Sequence, residues 1–346
     1  MKLRRVLFLI FSVILGGLFI LLLIHLGKVN LHVTAQMLKS VSALNFFELM
    51  LLNSLLIALS TLKWRITDAV LRHPSDAIPS RMTAFFVSST GMALGLILPV
   101  QLGMTTARTI GTRAYGRTLK RGTAGTVFEQ SFDLVVVCAL AGASAITWIF
   151  HGDGWMWLAC AIPLISLALL AVRPSVLLAQ SIARRVPDLS IRSQPRWLPH
   201  RLSVMLNRAL RGLSNLQHSG LLNVRLARKL LWLSVVRYGV VILMAGQTAR
   251  AVGAEIPLWQ MGAMAPFATV ANLVGITPGG IGVNELTSAA ALSVFGTQFP
   301  VASQWTLANR VLGSAACFVV LLCAFILLVI LRAATRFRFA ARGRQP

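Results

Sequence analysis

Apolar residues run almost unbroken over six stretches, at roughly residues 6–26, 44–62, 123–150, 155–172, 230–250 and 304–331, with basic and polar residues gathered between them. A helix needs about 20 apolar residues to cross a hydrocarbon core about 30 Å thick, so each stretch reads as a full transmembrane span. The runs are continuous instead of alternating in segments of about ten, which predicts helices rather than a β-barrel. The first run follows Lys2, Arg4 and Arg5, and only a weak Val33-Thr34-Ala35 site comes after it. It therefore reads as a retained helix and not as a cleaved signal.

Two further apolar stretches break the pattern. Residues 82–98 lead into Pro99-Val100-Gln101-Leu102-Gly103, and residues 258–277 lead into Pro278-Gly279-Gly280-Ile281-Gly282. A second segment of about 12 residues follows each break, too short for a comfortable span. Proline and glycine interrupt helical pairing, and a broken backbone at membrane depth is tolerated only inside protein or beside a wet cavity. Two re-entrant helical hairpins are predicted, with Pro99–Gly103 and Pro278–Gly282 at their tips; a pair of kinked spans is the alternative.

The basic residues choose between these topologies, because Lys and Arg favour cytoplasmic loops. With both termini in the cytoplasm and both hairpins re-entrant, Lys63, Arg65, Arg81, Arg108, Arg113 and the Arg-rich segment at about 173–229 all fall inside. Kinked spans would put Arg108 to Arg121 outside. The preferred topology gives one integral membrane domain, 1–346, made of two repeats of the form span, hairpin, span, at about 44–150 and 230–331. The hairpins enter from opposite sides, so the repeats are inverted, an arrangement found in transporters whose broken helices meet at the midplane. An amphipathic helix on the anionic inner leaflet, or a solvated linker, is expected at about 198–218. The whole is an all-α polytopic protein of a cell inner membrane.

Composition supports lipid as the solvent. Of 346 residues, 56% are hydrophobic and only 12% charged, against about a quarter charged in soluble domains. The net charge of +24 lies in the connections, so it reads as topology signal and headgroup contact and not as a nucleic-acid surface. Cys138, Cys160, Cys317 and Cys323 lie in apolar runs, and the six histidines are scattered. Neither set has metal-ligand spacing, and no nucleotide loop or catalytic signature is present, so no metal or cofactor is expected.

Ionisable groups at membrane depth are costly and need an explanation. Glu285 directly follows the second break, where a helix N-terminus favours negative charge, its own or that of a substrate phosphate. It could equally cap its helix or pair with Arg310. Glu129 and Asp133, at i and i+4, share a helix face. They could carry a proton or an ion, or pair with Arg108 or Arg113. Glu48 reads as interfacial.

The segment Pro278-Gly279-Gly280-Ile281-Gly282-Val283-Asn284-Glu285 resembles the Pro-Gly-Gly-x-Gly-x-x-Glu motif of the lysylphosphatidylglycerol synthase transmembrane family, the flippase-like domain family. Pro99 to Gly103 with Arg108, Glu129 and Asp133 is similar to its first-half motif, and the likeness covers about residues 44–330. The resemblance implies translocation or binding of charged or polyprenyl-linked lipids by a stand-alone membrane part, without the soluble aminoacyltransferase domain. The headgroup contacts expected are Pro278, Gly279, Gly280, Gly282, Asn284, Glu285 and Arg310 from the second half, and Pro99, Gln101, Gly103 and Arg108 from the first. The leading expectation is a translocator of an anionic lipid or lipid-linked saccharide, with membrane lipids as partners. An intramembrane transferase on polyprenyl-linked substrates, with Glu285 or Asp133 as general base, and an accessory protein of envelope synthesis are the alternatives.

Overall fold

The computed structural model describes residues 2–71, 78–98, 100–113, 118–192, 217, 219–274 and 277–342. All regular structure among them is helical. In chain order the helices are α1 (Lys2–Leu26), α2 (Leu31–Lys39), α3 (Ala43–Leu71), α4 (Arg81–Leu94), α5 (Val100–Arg113), α6 (Leu119–Ile149), α7 (Gly154–Arg192), α8 (Val224–Ala251), α9 (Leu258–Val274), α10 (Val283–Val294) and α11 (Phe299–Arg342). Polar residues set several of the starts, each supplying an oxygen to otherwise unpaired amides. Asn30 accepts from the amides of His32 and Val33, Ser80 from Thr83, Asp153 from Trp155 and Met156, and Asn223 from Arg225 and Leu226.

Five helices, α3, α6, α7, α8 and α11, are long and apolar enough to cross a membrane. α1 forms a sixth candidate together with α2, from which it is bent by 95°. The chain is an integral membrane protein. Three spans run past their expected ends: α7 to Arg192 instead of 172, α11 to Arg342 instead of 331, and α3 to Leu71 instead of 62. No glycine or proline interrupts residues 51–73, so nothing stops the helix at residue 62. Lys63, expected in an inner loop, therefore lies within the helix and is buried.

Both broken stretches fold back on themselves. Gly91 of α4 faces Met104 and Ala107 of α5, Gly103 abuts Gly95 and Leu94, and Gly111 faces Val87. This pairing is antiparallel and close. A Cβ on Gly103 would come within 2.6 Å of the Gly95 nitrogen. In the second pair, Gln260 of α9 donates to the Phe295 carbonyl at 2.7 Å, while Asn272 of α9 meets Gly280 at the turn. At 14 residues each, α4 and α5 reach only about 21 Å at 1.5 Å per residue, less than the about 30 Å of a hydrocarbon core.

The first tip is displaced from its expected place. The turn spans residues 95–98, and Gly103 lies inside α5, where its missing side chain admits α4. Pro99 lies outside the described residues, as does the stretch 198–216 in which an amphipathic helix was expected. The second tip is where the motif predicts it. Pro278–Gly280 forms one turn of 3-10 helix, and Gly282 caps α10.

The tips touch. The space a Cβ on Gly279 would need lies 2.1 Å from the Leu96 carbonyl oxygen of the first turn. Arg310 of α11 clamps the junction, donating to the Gly279 carbonyl at 3.0 Å and approaching the Leu96 carbonyl at 3.4 Å. α1 closes the other side of the second tip, with a Cβ on Gly282 only 2.4 Å from the Gly16 oxygen. Apolar packing surrounds these breaks, one cluster around Leu49, Met261, Leu292 and Trp305 and another around Val137, Leu140, Trp157, Leu231 and Tyr238.

Candidate functional site

Five ionised side chains from four helices converge beside the first hairpin. Arg108 of α5 is fully buried and its Nη1 pairs with Glu129 Oε1 of α6. Its Nη2 donates to the Ser60 carbonyl of α3 at 2.8 Å, and its guanidinium carbon stands 5.6 Å from the centre of the Trp64 ring. One turn along α6, Asp133 Oδ1 accepts from Lys63 Nζ of α3 at 2.6 Å, and Asp133 Oδ2 lies 3.5 Å from Arg237 Nη1 of α8. Lys63 also donates to Ser234 Oγ at 2.9 Å. Ser60 joins the two groups, because its hydroxyl accepts from Arg237 Nε at 3.2 Å while its carbonyl holds Arg108.

Burying an ion costs several kcal/mol even after relaxation, so charges at this depth persist only when paired and hydrogen-bonded. The pairing here is incomplete. Lys63, Arg108 and Arg237 bring three positive charges against two on Glu129 and Asp133, leaving an excess of one. These five groups line a cavity of about 470 Å³, together with Gln101, Gln130 and Tyr238. Three buried atoms on its wall, Gln101 Oε1, Arg108 Nε and Glu129 Oε2, make no hydrogen bond. Arg237 is the least enclosed of the cations, its side chain 15% exposed.

A second cavity of about 230 Å³ lies next to the first and shares Val241, Thr269 and Asn272 with it. Asn284, Glu285 and Arg310 line it. Glu285 has the roles foreseen for a purely local residue: Oε2 accepts from the Gly282 amide at 2.6 Å, and Oε1 lies 3.6 Å from Arg310 Nε. The charges balance in this cavity.

The sequence-derived residues are thus divided between two places. Gln101, Arg108, Glu129 and Asp133 meet in the first cavity, and Asn284, Glu285 and Arg310 in the second. Gly279, Gly280 and Gly282 serve the junction: the space beside each is filled by Leu96, Asn272 and α1, and their positive φ angles of 58°, 69° and 82° are ones that glycine adopts without strain. Asp133 pairs with Lys63 and Arg237, not with Arg108 or Arg113. Glu48 shares a hydrogen bond with Gln247.

Sequence reasoning missed Lys63, Arg237 and the serines between them. Arg237 carried a legible signal, an arginine in the middle of an apolar run. Lys63 carried a weaker one, the missing stop signal after residue 62.

The described residues thus form an α-helical membrane protein whose two broken hairpins meet beside a cation-rich polar cavity. The chain is a member of the family described as the lysylphosphatidylglycerol synthase TM region, whose model matches residues 7–311. Membership links it to membrane-lipid synthesis or translocation. No curated protein and no solved structure matches it.

Proposed function

We propose that the protein translocates a lipid with an anionic headgroup across the bilayer, holding the headgroup in the first cavity while the tails stay in lipid. One observation carries this reading: two buried cations, Lys63 and Arg108, and the half-buried Arg237 face two carboxylates around a cavity of about 470 Å³. Asp133 and Arg237 lie near the middles of α6 and α8, where hydrocarbon is the surrounding solvent if these helices cross it squarely. A phosphate bearing one negative charge would neutralise the excess and supply acceptors for Arg108 Nε and for Arg237.

Arg237 is the natural first contact. Its link to Asp133 is the longer of the two that Asp133 makes, so a phosphate can take Arg237 and leave Asp133 with Lys63, keeping each charge paired throughout. In the same reading the hairpins enter from opposite faces of a cell inner membrane, with both chain termini cytoplasmic. The contact between Leu96 and Gly279 is then the septum that opens to one side or the other as the repeats rock.

The test is reconstitution into liposomes, scoring transbilayer movement of fluorescent anionic phospholipids and polyprenyl phosphates against a zwitterionic phospholipid. The proposal expects faster movement of the anionic lipids than of the zwitterionic one and of protein-free controls. Folded protein that moves none of them, yet forms a new lipid product in detergent, would transfer the assignment to an intramembrane transferase.

A further inference from the structure

The second cavity has a hydrogen-bonding character unlike that of the first. Its charges cancel, Glu285 against Arg310, and it lacks the cation excess that would call for a phosphate. Three of its buried polar atoms make no hydrogen bond: Asn284 Oδ1, Glu285 Oε1 and Trp305 Nε1. Trp305 and Glu285 are 1% and 3% exposed, and Asn284 is half-buried with its Oδ1 enclosed. Two of the atoms are acceptors and one is a donor.

This mixture discriminates among headgroup chemistries, because a buried polar group left unpaired costs the full desolvation penalty. A bare phosphate only accepts, and would leave the two acceptors unpaired. An ammonium only donates, and would leave the indole N–H unpaired, while its charge would find Glu285 already matched. A hydroxyl donates and accepts. Several hydroxyls on a small frame can serve all three atoms at once.

The rest of the wall narrows the frame. Met244, Met261, Met264 and Ala268 also line the cavity, apolar side chains suited to the C–H face of a sugar ring. At about 230 Å³ the cavity holds roughly eight water volumes of ~30 Å³ each, enough for one monosaccharide. Because the two cavities share Thr269 and Asn272, a glycosyl group directly attached to a phosphate could occupy the second while its phosphate sits in the first.

We propose that the second cavity is a glycosyl subsite, so that the preferred substrate is a lipid phosphate carrying a single sugar. This rests on the translocator reading for its phosphate site, but its binding arm can be tested separately. The probes are a polyprenyl phosphate and its phosphate-linked hexose derivative of the same chain length. The variants are Trp305→Phe, which removes the N–H and keeps an aromatic ring, and Asn284→Ala; neither removes an ion-pair partner.

Two readouts are taken: competition binding of the two lipids to detergent-solubilised protein by native mass spectrometry, and their transbilayer movement in liposomes. Wild type is expected to prefer the hexose lipid in both, and each variant to lower that preference about fivefold. Equal binding of the two lipids by wild type, or a preference that survives both substitutions, overturns the glycosyl subsite and leaves translocation untouched. Hexose preference in binding with no movement of either lipid would uphold the subsite and defeat the translocator reading. A preference lost only in Asn284→Ala, and matched when a glycerol-phosphate derivative of the same chain length is added as a third probe, would replace the sugar with a simple polyol and overturn the proposal as stated.

Discussion

The first cavity gathers its charges from α3, α5, α6 and α8, elements spread over some 170 residues of chain, whereas the second takes its pair from one hairpin turn and the helix that follows. The distributed site is cation-rich and its ions are locked to one another. The local site is neutral, and its acid is chiefly a helix cap. A conspicuous motif and a polar site need not coincide: Pro278–Glu285 shapes the junction between the hairpins, while the excess cation lies elsewhere.

Breaking a pair in each site should separate the two roles. Arg108→Ala leaves Glu129 buried without its partner, and such a loss typically costs about 3–5 kcal/mol. The midpoint of thermal unfolding in detergent should fall sharply, and the pair replacement Arg108→Met with Glu129→Leu should recover most of the fall. Arg310→Ala should cost less, because its ion pair with Glu285 is long, at 3.6 Å, and Glu285 keeps the Gly282 amide as a partner.

Gly279→Ala comes next. Its Cβ would collide with the Leu96 carbonyl at a φ of 58°, and a strained backbone of this kind costs about 1–3 kcal/mol before the clash is counted. Denaturant unfolding measures the loss, and protease cleavage near the tips should quicken if the contact between hairpins opens. Smallest is Glu285→Gln, which keeps an acceptor for the Gly282 amide and loses the charge at the α10 N-terminus together with its long ion pair to the partly exposed Arg310. The expected cost is about 0.5–1 kcal/mol in the same unfolding experiment. A loss as large as that of Arg108→Ala would mean that Glu285 carries more than a cap and would erase the contrast between the sites.

The long helices were legible because hydrophobic length is a direct physical requirement of the bilayer, and the second tip because Pro-Gly-Gly-x-Gly cannot continue a helix. The first tip was less so. Pro99 marked the region, but a glycine beside a break has two uses, turning the chain or admitting a neighbour, and Gly103 serves the second. The acids of the site could be found one by one, since a carboxylate in an apolar run stands out. Their partners could not, because nothing in the local pattern says that Lys63 on α3 reaches Asp133 on α6; that is decided by how helices distant in sequence pack. The alternatives weighed for Glu285 describe its observed contacts closely, as both are local in the fold.

The most direct test of the central claim is the rate at which reconstituted Arg237→Gln protein moves an anionic lipid, set against wild type at matched incorporation. Asp133 keeps Lys63 in this variant, so the fold and its melting midpoint should hold. The account predicts a rate about tenfold lower or less, from the loss of one charge-assisted contact, together with loss of the preference for anionic over zwitterionic lipid. An Arg237→Gln protein that moves anionic lipid at the wild-type rate, with its preference intact, would contradict it.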